Sequence, residues 1–187
     1  MDDYYAAYES LAELEVGGLT GVLGLTGSGK TTLLRAFERV GSGLNEEVRL
    51  AANSSEFLPG LTVFEYLMNG CRLSGAKNCL RKCSEIIWLL GLDQCKNYLV
   101  ASDKDETTIS QGQRARTHIG FVIASASCPI QRLLIDEPLS SLDTGAAVLV
   151  VDAFKTLIQH GKYVRSIVFT DSPSYTKDPA TELYLTS

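Results

Sequence analysis

Between Gly24 and Thr32 the chain reads GLTGSGKTT, which satisfies the pattern G-x-x-x-x-G-K-[ST] of a phosphate-binding loop. Residues without a Cβ at Gly24, Gly27 and Gly29 let main-chain N–H groups turn inward around an anion. The loop then opens a helix at Lys30, so a helix N-terminus faces the same point. Lys30 supplies a mobile charge for β- and γ-phosphates, and the Thr31 hydroxyl is placed to hold Mg²⁺. Gly24, Thr26, Gly27, Ser28, Gly29, Lys30, Thr31 and Thr32 are therefore the candidate nucleotide contacts. The alternative is a glycine-rich turn before an amphipathic helix; the apolar run Leu19 to Leu25 ahead of the loop favours the phosphate cradle.

Two further stretches carry chemistry. LLIDEP, Leu133 to Pro138, is an apolar strand that delivers two adjacent carboxylates at its C-terminal edge, where α/β sheets present ligands. Adjacent strand residues point to opposite sides, which gives Asp136 the Mg²⁺ shell and Glu137 the task of polarising an attacking water as general base. In ISQGQRAR, Ile109 to Arg116, a serine and a glycine open a long helix whose terminus can bind a second anion. The competing reading is an ordinary Ser110 cap with Gln113 as its capping-box partner.

These residues need elements to hold them. Apolar spacing predicts a helix over 31 to 40, ended by the Gly-Ser-Gly at 41 to 43, and a short strand over 48 to 52. Thr62 caps a helix through Val63, Tyr66, Leu67 and Cys71, and a second helix over 78 to 90 carries Leu80, Ile86, Ile87, Leu89 and Leu90. A long helix from Ser110 to about 127, a strand over 131 to 135, a helix over 143 to 159, a strand over 164 to 170 and a last strand near 182 to 186 complete the series. Strands alternating with helices predict an α/β fold with a mainly parallel sheet covered on both faces. Residues 63 to 127 are expected to form an inserted helical subdomain within one domain of 187 residues.

Composition narrows the function. A net charge of −5 without a basic patch argues against nonspecific binding to nucleic acid or anionic lipid. Five cysteines form no C-x-x-C pair and no Cys/His cluster, so they read as reduced thiols rather than zinc ligands or a disulfide framework. The apolar runs at 121 to 126 and 146 to 151 fall short of the ~20 residues that span a bilayer, so a membrane role would need a partner that does.

Together the three elements resemble the nucleotide-binding domain of ATP-binding-cassette (ABC) proteins, over nearly the whole chain and nearest to the G subfamily of white and pleiotropic-drug-resistance type. LTVFEYL resembles that subfamily's segment after the Q-loop, RARTHIG its extension of the signature, DEPLSSLD its Walker B and D-loop, and SPS the residues past its switch histidine. The resemblance implies a P-loop fold, ATP and Mg²⁺ as ligands, and head-to-tail pairing with a second nucleotide-binding domain. Ser110, Gln111, Gly112 and Gln113 would then act in trans as the signature, with Asp143 in the D-loop. It also implies a transmembrane partner and residence on the cytoplasmic side of a membrane. The alternatives are a nucleotide-dependent regulatory module with weak catalysis and a truncated product of a G-type half transporter gene.

Three departures bear on catalysis. Asn53 stands at the Q-loop glutamine and is one methylene shorter. Asp171 stands at the switch histidine; an ionised Asp only accepts hydrogen bonds, and two like charges ~4 Å apart repel by ~4 kcal/mol at an effective dielectric near 20. Asp171 must therefore turn away, protonate or slow turnover, which predicts weak hydrolysis. Too few residues precede Asn53 for the family's antiparallel hairpin, and most of its adenine-binding strand is expected to be absent, with Tyr4, Tyr5 or Tyr8 as the candidates to stack on a base. His118 and His160 match no functional position of the family.

Overall fold

A computed structural model describes residues 18–43, 47–52, 57–101 and 108–172. The chain divides into two compact units, Met1–Asn53 with Pro129–Ser140 and Ile158–Ser187, and Ser54–Cys128 with Ser141–Leu157.

The first unit holds β1 (Leu19–Leu23), α1 (Lys30–Gly43), β2 (Val48–Ala51), β3 (Ile130–Ile135) and β4 (Val164–Asp171). The four strands lie in the order β1-β4-β3-β2, and every pairing is parallel. The register sets Leu23 beside Asp171 and Ala51 beside Ile135, so the strands end along one edge. β3 and β4 are interior strands, which explains the apolar runs Leu133 to Ile135 and Ile167 to Phe169 at their centres and ends. Leu34 and Phe37 of α1 pack against Val22, Val48, Leu134 and Val168 of the sheet. Each such fully buried side chain contributes ~1.5–3 kcal/mol, enough to fix where α1 begins.

α1 continues past Val40 and ends at Gly43. Gly41 is buried, and a Cβ on it would overlap the Val48 side chain. The glycine serves close packing of helix on strand, so it does not stop the helix. β1 is also shorter than the apolar run, because Gly24 already belongs to the loop.

The second unit holds α2 (Val63–Leu73), α3 (Cys79–Leu89), a 3-10 turn at Asp93–Cys95, α4 (Gln111–Ser125) and most of α5 (Thr144–His160). Thr62 caps α2 as expected, and Glu65 completes a full capping box with it. Tyr66 stacks against Phe121 with ring centroids 4.7 Å apart, and Gly120 lets Leu67 and Leu90 close over α4. Lys82 Nζ donates to Ala124 O and Ala126 O, the carbonyls that α4 leaves open at its end. Leu80 departs from the expected apolar face: it is 64% exposed, while Cys83, Ile86 and Ile87 one to two turns later face inward. Cys71 lies within hydrogen-bonding reach of Cys79 and Cys83, and burial, with Cys71 beside it, pushes the Cys83 thiol up to about 12. These are packing thiols.

No helix among the described residues is long and apolar enough to cross a membrane. The strand expected near 182 to 186 lies outside the described residues.

Candidate functional site

The candidate site forms at the carboxyl edge of the sheet in the first unit. β1 delivers the chain to Gly24, whose N–H donates to Asp171 O at 3.2 Å and so carries the sheet ladder one residue beyond the strand. Gly27 and Gly29 have φ of 85° and 93°, left-handed values that only glycine adopts without strain. The loop from Leu25 to Gly29 is exposed, whereas Lys30 at the head of α1 is 8% exposed.

Lys30 Nζ donates to Gly24 O at 2.9 Å and to Leu25 O at 3.2 Å, and it pairs with Glu137 Oε1 at 3.2 Å. Its three protons thus meet three oxygens. An arriving phosphate would compete with two loop carbonyls and one carboxylate for the same charge.

Asp136 takes the other side. Thr31 Oγ1 donates to Asp136 Oδ2 at 2.8 Å, and Thr170 Oγ1 donates to Asp136 Oδ1 at 2.9 Å. The Glu137 N–H donates back to Thr170 Oγ1 at 3.1 Å. Asp136 and Glu137 therefore face different partners, one a pair of hydroxyls and the other an ammonium. Glu137 has φ 47°, the one positive value on a non-glycine residue among the described residues. Such a conformation costs ~1–3 kcal/mol, and the bonds on both sides of the peptide hold it.

Asp171 is fully buried at the end of β4. Its Oδ2 accepts from Leu139 N at 3.1 Å and its Oδ1 from Ser172 N at 2.8 Å. Burial raises its pKa above the ordinary carboxylate value; the Ser172 and Leu139 amides oppose that, Glu137 adds to it, and Lys30 opposes it. Of the three outcomes open to an Asp here, the geometry is that of a carboxyl turned onto the backbone past Glu137.

Ser110, Gln111, Gly112 and Gln113 belong to the second unit. Ser110 Oγ accepts from Gln113 N at 3.3 Å and Gln113 Oε1 accepts from Ser110 N at 2.9 Å, a complete capping box. Gln111 is exposed; Gly112 is buried, and a Cβ on it would come within 3.2 Å of Ala146 Cβ. Asp143 Oδ1 accepts from Ala146 N at 2.9 Å and caps α5. His118 sits near Phe57 in the second unit, and His160 stacks on Tyr163. Asn53 and the candidate stacking residues Tyr4, Tyr5 and Tyr8 lie outside the described residues.

Thr170 was not among the residues singled out by motif. The available signal was a hydroxyl directly after the apolar run Ile167 to Phe169 of a buried strand, since a polar group there must find a partner. No cluster of three or more His, Cys, Asp or Glu fit for a metal occurs among the described residues. Mg²⁺ needs less from the protein: one carboxylate and one hydroxyl, hard oxygens side by side, suit an ion that completes its shell with water and phosphate. Thr31 Oγ1 and Asp136 Oδ2 form such a pair.

Residues 11–140 match the family model of the ABC transporter. The chain is 31% identical over 186 residues to ABC transporter G family member 5 of Oryza sativa subsp. japonica, covering 87% of this chain and 23% of that protein. It is 33% identical over 187 residues to ABC transporter G family member 6 of Arabidopsis thaliana, covering 87% and 25%. The cytochrome c biogenesis ATP-binding export protein CcmA of Nitrosospira multiformis is 31% identical over 166 residues, covering 79% of this chain and 76% of that protein. The chain thus spans about a quarter of the length of these G-family relatives. Among solved structures, a metal-chelate type ABC transporter in an inward-facing conformation matches in fold, with a TM-score of 0.63 at 23% identity over 84% of this chain and 64% of that one.

Proposed function

The chain belongs to the ABC transporter family, as an ATP-binding domain close to the G subfamily, and we propose that it binds ATP and hydrolyses it slowly as the nucleotide-binding part of a transporter. The reading rests on one convergence: Lys30, Thr31, Asp136 and Glu137 meet in one unit beside the loop between β1 and α1. Loop amides and Lys30 would grip the β- and γ-phosphates. Thr31 and Asp136 would hold the Mg²⁺, which when bound supplies neutralising charge against the phosphate oxygens. Glu137 would take a proton from the water that attacks the γ-phosphorus, as the bond to the ADP oxygen breaks.

Pairing with a second nucleotide-binding domain, identical or not, would bring Ser110 and Gly112 of one protomer to the nucleotide of the other, with Asp143 in the crossing loop. A transmembrane partner would hold the pair at the cytoplasmic side of a membrane. A second reading, a nucleotide-dependent module with little turnover, is favoured by the carboxyl of Asp171, which accepts from Leu139 and Ser172 where the family's histidine would offer a donor. Loss of one stabilising donor costs ~10²-fold or more in rate.

Titration with ATP and with GTP, each with and without Mg²⁺, tests the binding claim: Mg²⁺-dependent affinity that Lys30→Ala abolishes is expected, and no affinity for either nucleotide would overturn it. Steady-state hydrolysis separates the two readings. If the wild type and Glu137→Gln turn over equally, the enzyme reading is wrong and the module reading stands.

A further inference from the structure

Arg116 lies on the second turn of α4 and is 7% exposed. Its Nε donates to Gly112 O at 3.2 Å, and its Nη1 donates to Leu90 O at 2.9 Å and to Gly91 O at 3.3 Å. Leu90 is the C-cap of α3 and Gly91 follows it. A planar guanidinium thus ties the chain leaving α3 to the first turn of α4, the turn that carries Ser110, Gly112 and Gln113. No carboxylate lies within ion-pair distance of it among the described residues. Burial lowers its pKa, and the nearby Cys95 thiol opposes that. A buried cation held by carbonyls alone is a costly way to pack a helix, since a leucine would fill the space without the desolvation penalty. Geometry is what the fork adds, because it fixes direction as well as distance. Around it, Gly91 has φ 62° and no Cβ to press on Nη1, and Gly112 has none to press on Ala146.

We propose that Arg116 is a positioning residue for ATP-driven pairing: it fixes the first turn of α4 so that the Ser110 to Gln113 segment meets the nucleotide of a second copy. The inference rests on the function proposed above and deepens it. Arg116 has no part in gripping nucleotide within its own protomer, so loss of the fork separates two properties that a general loss of folding would lower together.

The test uses the full chain carrying Glu137→Gln, to suppress turnover, with and without Arg116→Lys, which keeps the charge and loses the fork. Mg²⁺-ATP affinity of the monomer is expected to stay within about twofold, while the ATP-dependent dimer seen by sedimentation weakens at least tenfold. Unchanged dimerisation would overturn the proposal, as would a parallel loss of affinity, dimer and melting temperature. A parent that binds ATP but never dimerises would instead count against the pairing proposed above. Amide hydrogen exchange of the monomer decides the positioning claim in that event: Arg116→Lys should speed exchange at Gln113 and Arg114 while α2 is unaffected, and unchanged exchange would overturn it.

Discussion

Thr170 joins the two acids of the site. Its hydroxyl gives its proton to Asp136 Oδ1 and accepts the N–H of Glu137, so one side chain orients both the Asp136 carboxylate and the peptide at φ 47°. Thr170→Val keeps the shape and removes both bonds, leaving a buried N–H and a carboxylate oxygen short of a partner at a cost of ~1–3 kcal/mol. A melting temperature lower by about 2–12 °C follows from that cost for a chain of this size, with weaker Mg²⁺-ATP binding; a melting temperature within a degree of wild type would remove Thr170 from the site. Asp171 carries a second prediction. Burial holds its pKa above the ordinary carboxylate value, so the folded protein binds that proton more tightly than the unfolded chain. The contribution is present below the ordinary value and is lost as pH climbs through the raised one. Asp171→Asn does not titrate, so the stability of wild type relative to Asp171→Asn should fall as pH climbs above about 4. Melting curves across that range check it, and a flat difference would refute the raised pKa.

At the scale of elements, the strands and helices were legible because period and punctuation agree with burial. The run from Leu133 to Ile135 is apolar throughout because β3 is interior, and Thr62 and Glu65 announce α2 three residues apart. The candidate site was legible where backbone geometry demands a residue type, as at Gly27 and Gly29, and where charge gathers at a sheet edge, as at Asp136 and Glu137. Thr170 and Arg116 stayed hidden, since a threonine in a strand and an arginine in a helix name no partner until the chain is folded. Gly41 misled for a different reason: a glycine that ends a helix and one that admits a neighbouring strand look alike in one dimension. Gly41→Ala sets a gain in helix propensity of ~1 kcal/mol against overpacking of ~1–3 kcal/mol. Overpacking should win, because Val48 is β-branched, buried and unable to turn aside. A loss of about 1 kcal/mol in denaturant unfolding is expected, relieved when Val48→Ala is added; additive losses in the double variant would show that the two side chains do not compete.

The whole molecule is two units threaded by one chain, which passes between them at 53/54, 128/129, 140/141 and 157/158. The first unit is assembled from three segments, so its sheet closes only when both insertions are spanned, and the order of one unit limits the conformational freedom of the other. Ligand binding should therefore be felt by the chain as a whole. With a net charge of −5 the molecule offers no general attraction to a polyanion, and affinity for a triphosphate has to come from the local amides and Lys30. A ligand that binds only the folded state at a hundred times its dissociation constant stabilises it by ~2.7 kcal/mol. For a chain of this length that shifts melting upward by about 5–10 °C. Mg²⁺-ATP should produce such a shift in a single transition, and Lys30→Ala should erase it while lowering the unliganded melting temperature by only a few degrees, because the lysine's partners are two loop carbonyls and a carboxylate that keeps 31% of its surface in water. Two transitions of which only one moves would show that the units melt independently, and a shift that survives Lys30→Ala would place the nucleotide somewhere other than the loop between β1 and α1.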